Sequence, residues 1–513
     1  MSGCTKLGPN FNGIEKVEIP EKWKHDTSMD DNATLRWWKV FKDPVLDSLV
    51  EKAYAQNLDI KSAGLRILQS RAVLGISEGL IYPQVQTVSG NAALSRQTGD
   101  NFALAGINFD IGWEMDIWGK YARGIESSTA SLYANVASYQ NIMVSVIAEV
   151  ARNYVSYRTA EERIAYAERN IAIQERVTKM TEIQYNSGNV SELDMQQSRT
   201  QLYNTRATLP AIKLSKVKSR NALAVLLGTM PDKIEKMMSE SDHKWNDSVQ
   251  KYIAGKKSGV IQLKENNSSL NISLVPVADL DPYSKIDAEL LMRRPDLKVA
   301  EYKAHAASAQ IGVKTADLYP SFTLFGNIGY NTNDASGDWL SGSKPLGISA
   351  GPAFSWNIFQ YGRIKNQIRL QDALFEESLV NYNKKVLQAV GEVSDALQGY
   401  VLTKKQLEEN EKAVDATVRA FNISATQYNN GLVSYQRLLS TVENLTRTQD
   451  RYAQIRGSLA TNAILLYKAL GGGWEIARNK AYVSAETAEK MSKRVDWGKY
   501  LDSNMTRFPK DMR

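Results

Sequence analysis

The longest regular pattern in the chain is a run of apolar side chains spaced three and four residues apart in its second half. No proline occurs between Gly362 and Tyr428, and within this stretch the apolar positions recur from Val386 onward with few interruptions. This spacing is the seam of a coiled coil. A helix over 362–427 would be about 100 Å long at about 1.5 Å per residue. The pattern therefore predicts one unusually long helix.

A shorter helical segment returns from the turn Asn429-Asn430-Gly431, where Asn and Gly allow a helix to end. Because this segment is too short to match the long helix, we expect a second short helix to be stacked on it end to end. The first half of the chain follows the same plan. The predicted helices are 362–427, 434–470 and 285–318 in the second half, and 120–185, 191–227 and 46–80 in the first.

Ahead of each long helix the pattern changes to strict alternation, which indicates a strand with one apolar face. The apolar positions are Ile107, Phe109, Ile111, Trp113 and Met115 in the first half, and Leu346, Ile348, Ala350, Pro352, Phe354 and Trp356 in the second. Weaker alternation precedes both. We therefore predict two hairpins, at about 84–116 and about 321–357, with strands of about 10–12 residues that suit a tilted membrane strand.

These hairpins decide how the chain would cross a membrane. No stretch reaches the roughly 18–20 apolar residues that a spanning helix needs, so a crossing must use strands. Four strands cannot close a barrel in hydrocarbon, and several protomers must therefore contribute to one barrel. A water-soluble sandwich would need strands throughout the chain, and a soluble coiled coil would leave the apolar hairpins without a purpose.

The two halves are copies of each other. Matched segments keep their order, with an offset that drifts only from 237 to 243 residues. The proposed divisions are an N-terminal segment 1–45, a first repeat 46–228 with a tip at 185–191, a connector 229–284, a second repeat 285–471 with a tip at 428–434, and a tail 472–513. From Glu475 onward this tail has no role that the sequence reveals.

Composition argues against several classes of protein. The net charge of +7 is spread along the chain without a basic block, so no nucleic-acid partner is expected. The three histidines are scattered, and the single cysteine rules out an intrachain disulfide or a thiolate metal site. No arrangement of Ser, His and Asp suggests a nucleophile with its base. We expect no catalytic residues, no metal and no cofactor.

Several short motifs stand out along the chain, namely Trp37-Trp38, Phe41-Lys42-Asp43-Pro44, Arg293-Arg294-Pro295-Asp296-Leu297, the pairs Tyr82-Pro83 and Tyr319-Pro320, Asp116-Ile117-Trp118-Gly119, and Ala469-Leu470-Gly471-Gly472-Gly473-Trp474. In their order they resemble the outer-membrane efflux channel family, the TolC-like proteins. The resemblance is strongest to the lipoprotein branch that serves multidrug and metal-ion pumps of the resistance-nodulation-division type. The resemblance implies a mostly α-helical homotrimer with a twelve-stranded outer-membrane β-barrel, four strands from each protomer. The barrel continues into a twelve-column helical tunnel in the periplasm, and the connector and both termini form a belt around it.

The same resemblance implies a passive, gated conduit in the outer membrane of a Gram-negative bacterium. Its partners would be a periplasmic adaptor, an inner-membrane transporter and outer-membrane lipid. The expected cargo is drugs or other small toxic compounds, and export of polypeptides or metal ions is the alternative. A general porin would need more strands per chain, and a periplasmic scaffold would need no apolar hairpins.

Site residues follow from the family motifs. Cys4, after small residues, matches an acylated lipoprotein cysteine, with an incidental thiol as the alternative. Tyr185 and Tyr428 match the closing turns, and Asp194 falls where the family places a constricting carboxylate. Arg437 departs from that pattern in the second copy, so either an ion pair with Asp194 or two solvated charges is expected. The adaptor-docking residues are Asn186, Gly188, Val190, Asn429, Gly431 and Val433, and the interfacial aromatics are Trp113, Trp118, Tyr330 and Trp356. Core packing is the other explanation of these aromatics.

Overall fold

A computed structural model of the chain describes residues 5–14, 36–97, 100–240, 274–278, 280, 291–334, 346–477, 480–502 and 506–507. The helices are α1 Pro44–Gln56, α2 Leu58–Gly79, α3 Lys120–Asn186, α4 Glu192–Leu226, α5 Pro231–Glu240, α6 Pro295–Ala316, α7 Arg363–Asn429, α8 Tyr435–Ala469 and α9 Ala485–Ser492. The strands are β1 Val85–Gln97, β2 Asp100–Met115, β3 Ser321–Asp334 and β4 Leu346–Ser355. Short 3-10 turns lie at Trp37–Phe41, Trp474–Ala477 and Gly498–Leu501.

The helices match in length between the two halves of the chain. α3 and α7 each have 67 residues, α4 and α8 each have 35, and α2 and α6 each have 22. The predicted pair of very long helices is confirmed, and at about 1.5 Å per residue each is about 100 Å long. The duplication read from the sequence is therefore also a duplication of structure.

The first stacked column joins α4 to α2, as predicted. The Asn57 side chain accepts from the backbone N–H of Ile60 at 2.9 Å and so caps the start of α2. Its amide also donates to the carbonyl of Leu226, the last residue of α4, at 2.8 Å. One buried side chain thus satisfies an unpaired group at each of two abutting helix ends.

The second column joins α8 to α6 through Arg294, which occupies the same repeat position as Asn57. Its guanidinium donates to the carbonyl of Ala469 at 2.7 Å, and also to Asp296 and Glu392. The helix predicted over 46–80 is wrong in one respect, because the chain breaks at Asn57 into α1 and α2. Similarly, the helix predicted over 285–318 is interrupted at Arg293 and Arg294: Leu291 and Met292 are helical, and α6 begins at Pro295, whereas 285–290 lie outside the described residues.

Pro210 lies inside α4, within the helix predicted over 191–227. α4 continues through Pro210 to its end at Leu226. Leu209 and Ile212, on either side of it, pack against Ala160 and Ala167 of α3. This packing holds the helix together although proline removes one backbone hydrogen bond.

The two predicted hairpins pair with each other to form one antiparallel sheet in the order β1-β2-β3-β4. β2 and β3 form the joint between the repeats, and there the Asn327 amide donates to Asp110 at 2.6 Å. The apolar residues of the alternating pattern, such as Phe109 and Ile348, are exposed, whereas Asp110 is half-buried. Both predicted hairpins form, and burial alternates with the apolar pattern in β2, whereas in β4 the residues of both faces are exposed except at Gly351.

The main core lies where α1, α2, α3 and α8 meet. Trp37 and Trp38 are almost fully buried there, and the Trp37 ring stacks on Tyr467 at 5.4 Å between ring centroids. The tryptophan pair thus packs the first 3-10 turn against α8. Over the described part of the chain, no helix combines the length and the apolar character that crossing a membrane requires.

Candidate functional site

Two helix turns, at the ends of α3 and α7 away from the sheet, form the predicted tips. In the first, Gly188 has a φ of +75°, and its N–H donates to the carbonyl of Tyr185 at 2.9 Å. In the second, Gly431 has a φ of +70°, and its N–H donates to the carbonyl of Tyr428 at 3.0 Å. Each is the glycine turn that satisfies the last carbonyls of a helix. The tips are thus two copies of one structure.

The two tip tyrosines differ in their surroundings. Tyr428 is buried, and its ring meets Tyr435 edge to face at 5.9 Å between centroids. Burial raises the pKa of Tyr428, and the nearby Asp194 carboxylate raises it further, against the opposing effect of the Thr181 hydroxyl. Tyr185 is half-buried. Tyr428 therefore packs within the protomer, at a place where residues of the first and second repeats meet.

Asp194 serves a local purpose in the protomer. Its carboxylate accepts from the backbone N–H of Ser191 at 3.1 Å and from the Ser191 hydroxyl at 2.8 Å, and Ser191 in turn caps the N–H of Asp194. This reciprocal capping box stabilises the start of α4. Arg437 is exposed, and among the described residues of the protomer no ion pair joins it to Asp194. The constriction role of both residues remains a prediction.

The predicted docking residues lie on the outer surface of the tips. Asn186, Gly188, Asn429 and Gly431 are exposed, and Val190 and Val433 are half-buried. Three large apolar neighbours that the sequence analysis did not select are also exposed, namely Ile183, Leu193 and Leu432. The tips therefore present apolar side chains around small polar ones, a composition that suits a protein contact.

Polar side chains line the seam between α3 and α8. This seam separates two helical arms, one formed by α3 and α4 and the other by α7 and α8. The Arg163 guanidinium donates to Asp450 at 2.7 Å, and closer to the tips the Asn170 amide donates to Gln449 at 3.1 Å. Two recesses of about 410 and 440 Å³ lie along this seam between α3, α4 and α8. Tyr166 and Val177 of α3 also belong to the apolar cluster that α7 and α8 form, so the contact between the arms combines hydrogen bonds with apolar packing.

A buried ion pair closes this seam near the core. Glu162 of α3 is fully buried and accepts from the Arg456 guanidinium of α8 at 3.2 Å and from the backbone N–H of Leu274 at 3.3 Å. Arg456 also donates to the carbonyl of Val275. Burial raises the pKa of Glu162, and Arg456 with the two backbone N–H groups opposes that rise without cancelling it. The pair therefore fastens the end of the connector to both arms.

Three of the predicted interfacial aromatics lie where the sheet meets the helices. The Trp113 indole donates to the carbonyl of Ile81 at 2.9 Å, and the Trp356 indole donates to that of Leu318, the equivalent residue, at 3.0 Å. Trp118 donates to the carbonyl of Pro320 at 2.8 Å and so links the two repeats. Each indole N–H has a partner while part of its ring is accessible, as is usual for tryptophan at an interface.

Tyr330 lies towards the other end of the sheet. It is paired with Ile107 and Leu346 in the register, nine residues after the start of β3 at Ser321. Nine residues of strand span about 30 Å, so the selected aromatics lie at two levels. Their assignment to a membrane interface remains a prediction.

The N-terminal segment leads towards the base of the sheet. The N–H of Leu7 donates to the carbonyl of Trp118 at 3.2 Å, and the buried Arg123 donates to the carbonyls of Leu7 and Gly8 and to the side chain of Asn10. Cys4 itself lies outside the described residues.

Sequence reasoning missed the residues that join elements distant in the chain. Arg294 was noted only as part of a motif, and its buried junction gives that motif a physical meaning. Glu162 and Arg456 had no distinguishing signal, because charged residues in a long helix are usually solvated. In the described ranges, no cluster of three or more His, Cys, Asp or Glu side chains could hold a metal ion.

Comparison with known proteins identifies the repeat. The family model described as outer membrane efflux protein matches residues 49–229 and 288–472, that is, both halves without the connector.

Two curated relatives and one solved structure are similar over nearly the whole chain. The probable outer membrane lipoprotein SilC of Salmonella typhimurium is 26% identical, covering 92% of this chain and 96% of the relative. The pyoverdine export outer membrane protein OpmQ of Pseudomonas putida is 26% identical, covering 93% and 96%. The structure of the outer-membrane channel OprN is 26% identical with a TM-score of 0.74, covering 92% of this chain and all of that one.

Proposed function

The chain belongs to the outer membrane efflux protein family, and on that premise we propose that three copies form the outer-membrane exit duct of a tripartite efflux system. The fold is that of the TolC-like channels, and the protein is an outer-membrane protein. In this proposal the duct conducts passively. A periplasmic adaptor contacts the duct, and an inner-membrane transporter supplies the energy.

The observation that carries the proposal is the unclosed sheet. β1 and β4 are the two edge strands, and within the described residues neither has a partner on its outer side. Their apolar residues Val88 and Ile348 are 70% and 69% exposed. An unpaired edge is not tolerated in hydrocarbon, so β4 of one copy must pair with β1 of the next. Three copies then supply twelve strands.

The arms suggest how such a duct is gated. The contact of α3 with the arm formed by α7 and α8 combines apolar packing of Tyr166 and Val177 with polar pairs such as Arg163 with Asp450. Polar pairs exposed to water are worth little and are readily exchanged for water. We propose that an adaptor bound at the tips separates the arms along this seam, with the buried pair of Glu162 and Arg456 as the fixed point above it.

The remaining parts of the proposal concern anchoring, chemistry and cargo. A lipid on Cys4 would lie near the base of the sheet, because Leu7 is bonded to Trp118 there. We propose no catalytic centre and no cofactor. The name of OpmQ, pyoverdine export outer membrane protein, favours a small molecule as cargo over a polypeptide. Drugs or other small toxic compounds therefore remain the proposed substrates.

Disulfide cross-linking between edge strands tests the assembly. β1 begins and β4 ends at the same end of the sheet. Val85→Cys is combined in turn with Cys at Ala353, Phe354 and Ser355, in a Cys4→Ser background. Since β1 and β4 are separated by two strands within a protomer, a bond between them forms only between copies. We expect oxidised samples from native membranes to give a ladder that stops at three subunits.

The matched control is Val85→Cys with Gly112→Cys. These residues are register partners in β1 and β2, and a Cβ at Gly112 would lie 3.3 Å from that of Val85. Their disulfide forms within one protomer and leaves its mobility that of a monomer. A monomer for every edge pair, or a ladder beyond three subunits, would contradict the proposed trimer.

A further inference from the structure

The C-terminal tail, which the sequence analysis left without a role, folds back along α2. Tyr482 and Val483 are buried against the main core, to which Ala63 and Ile67 of α2 also belong. The carbonyl oxygen of Tyr482 faces Gly64, where an added Cβ would collide with it. The tail therefore approaches α2 at a residue that has no side chain.

Two further contacts follow along the same helix. The Tyr500 hydroxyl fills the space beside Gly75, where an added Cβ would again collide. Between the glycines, the Arg71 guanidinium lies over the Tyr482 ring at 5.9 Å and donates to the carbonyl of Arg507 at 3.2 Å. Arg71 and Gly75 lie about two and about three helical turns after Gly64. They form one stripe along α2, hereafter the α2 groove.

The second repeat carries one matching glycine, with a different segment of the chain beside it. Gly312 of α6 corresponds to Gly75 of α2, and a Cβ at Gly312 would lie 2.5 Å from the carbonyl oxygen of Leu7. The N-terminal segment thus lies against the helix of the second repeat, and the C-terminal tail lies against the helix of the first. Each terminus fastens the repeat to which it is not directly joined.

We propose that the α2 groove is a peptide-binding site whose ligand is the chain's own tail, in the described residues 480–502 and 506–507. Bound there, the tail connects the end of the second repeat to the first, as the N-terminal segment does in the opposite direction. The glycine shared by α2 and α6 makes room for the occupant in both copies. This inference concerns the tail and α2 only, and it holds whatever the channel conducts.

The specificity of binding lies in the tyrosine contacts and not in the tail's charges. The ion pairs of α9, Lys490 with Glu486 and Lys493 with Glu489, lie on an exposed surface and within the helix itself. Such pairs contribute little. By contrast, Met491 is buried, and Trp497 and Leu501 pack against the core. We therefore expect a change in the groove to release the tail while α9 keeps its own ion pairs.

A matched pair of glycine substitutions in the full-length protein tests the proposal. Gly75→Ala places a methyl group against Tyr500, whereas Gly79→Ala, one turn further along α2, meets nothing within 4 Å. The readout is the rate at which trypsin cleaves the tail at Lys490, Lys493, Arg494 and Lys499, followed by mass spectrometry. Because overpacking of a close contact is destabilising, we expect cleavage of Gly75→Ala to be roughly tenfold faster or more. Gly79→Ala should be unchanged or slower, since alanine favours the helix.

A second substitution distinguishes the groove from a general loss of stability. Tyr500→Phe removes the hydroxyl that Gly75→Ala would strike, so the double variant should recover most of the slow cleavage. Equal cleavage of Gly75→Ala and Gly79→Ala, or no recovery with Tyr500→Phe, would overturn the proposal.

Discussion

The two longest helices, α3 and α7, have the same length and equivalent places in the repeats, yet their surroundings differ. α3 packs mainly against α1, α2, α4, α6 and α8, whereas α7 packs mainly against α6 and α8. Among the described residues of α3, Ile183 beside the tip is the one large apolar side chain that is exposed. α7 exposes Leu370, Leu374, Val380, Leu387, Leu402 and Ile423.

This difference shows how a duplicated sequence can build an unequal structure. α3 became the centre of the protomer, and its buried polar residues, such as Glu162 and Arg158, hold other elements in place. α7 became an edge. Its exposed apolar residues suit a neighbouring copy in the proposed trimer, because burying them there removes apolar surface from water. The following predictions test the difference between centre and edge.

The largest effect is expected at the buried ion pair between Glu162 of α3 and Arg456 of α8. Arg456→Met leaves the Glu162 carboxylate buried without its partner, which should lower the free energy of unfolding by about 3–5 kcal/mol. Arg451, five residues earlier on α8, is exposed, and Arg451→Met should change stability by less than about 0.5 kcal/mol. Thermal denaturation of both variants in detergent measures the difference. Similar losses would mean that α3 is not held by this pair.

The pH dependence of Arg456→Met sharpens the same prediction. The pKa of Glu162 is already raised by burial, and removing Arg456 removes an effect that lowers it. A carboxyl whose pKa is higher in the folded state favours folding below its unfolded pKa of about 4.3, and that contribution is lost as the pH rises through the folded pKa. The loss of stability of Arg456→Met relative to wild type should therefore become smaller as the pH falls from about 8 to about 5. A constant deficit would show that lost packing, and not charge, is responsible.

The next effect compares the two column junctions. Arg294→Ala removes charge-assisted bonds to Asp296 and Glu392 as well as the bond to Ala469, and we expect a loss of about 3 kcal/mol. Asn57→Ala removes one helix cap and one bond to Leu226, which should cost about 1–2 kcal/mol. Denaturation of the two variants under one set of conditions gives the ranking. A larger loss for Asn57→Ala would reverse the assigned roles.

The local pattern of each helix could be predicted from the sequence, but its place in the protomer could not. Val386, Val393, Val414 and Phe421 formed the predicted seam of α7, and all four are buried. The hairpins were equally clear, because side-chain alternation within a strand is local. The roles of Asn57, Glu162 and the tail depend on contacts between residues more than 100 positions apart. No local spacing records such contacts, so those roles required coordinates.

A smaller effect is expected at the edge helix, and only in the assembled protein. Leu387 is 66% exposed in the protomer, so Leu387→Ala should cost about 1–2 kcal/mol per subunit where a neighbour covers it. That loss should appear as a dissociation temperature that depends on protein concentration. Val393→Ala, a change inside the protomer, should destabilise at every concentration. If Leu387→Ala has no effect on the trimer, this face of α7 is not an interface.

The smallest effect separates the two tips, which share a backbone but not a cap. Ser191 forms the capping box with Asp194, whereas Ser434 makes no side-chain cap at the start of α8. Ser191→Ala should destabilise its helix start by about 1 kcal/mol, which corresponds to roughly fivefold faster amide exchange over 188–198. Ser434→Ala should leave exchange at the second tip nearly unchanged, because no hydrogen bond is lost.

Since Ser191→Ala also frees the Asp194 carboxylate, its single-channel conductance reports on the predicted constriction. A change in conductance for Ser191→Ala alone would indicate that the capping box holds Asp194 away from the pore, and equal exchange in both variants would mean that the cap contributes nothing to the tip.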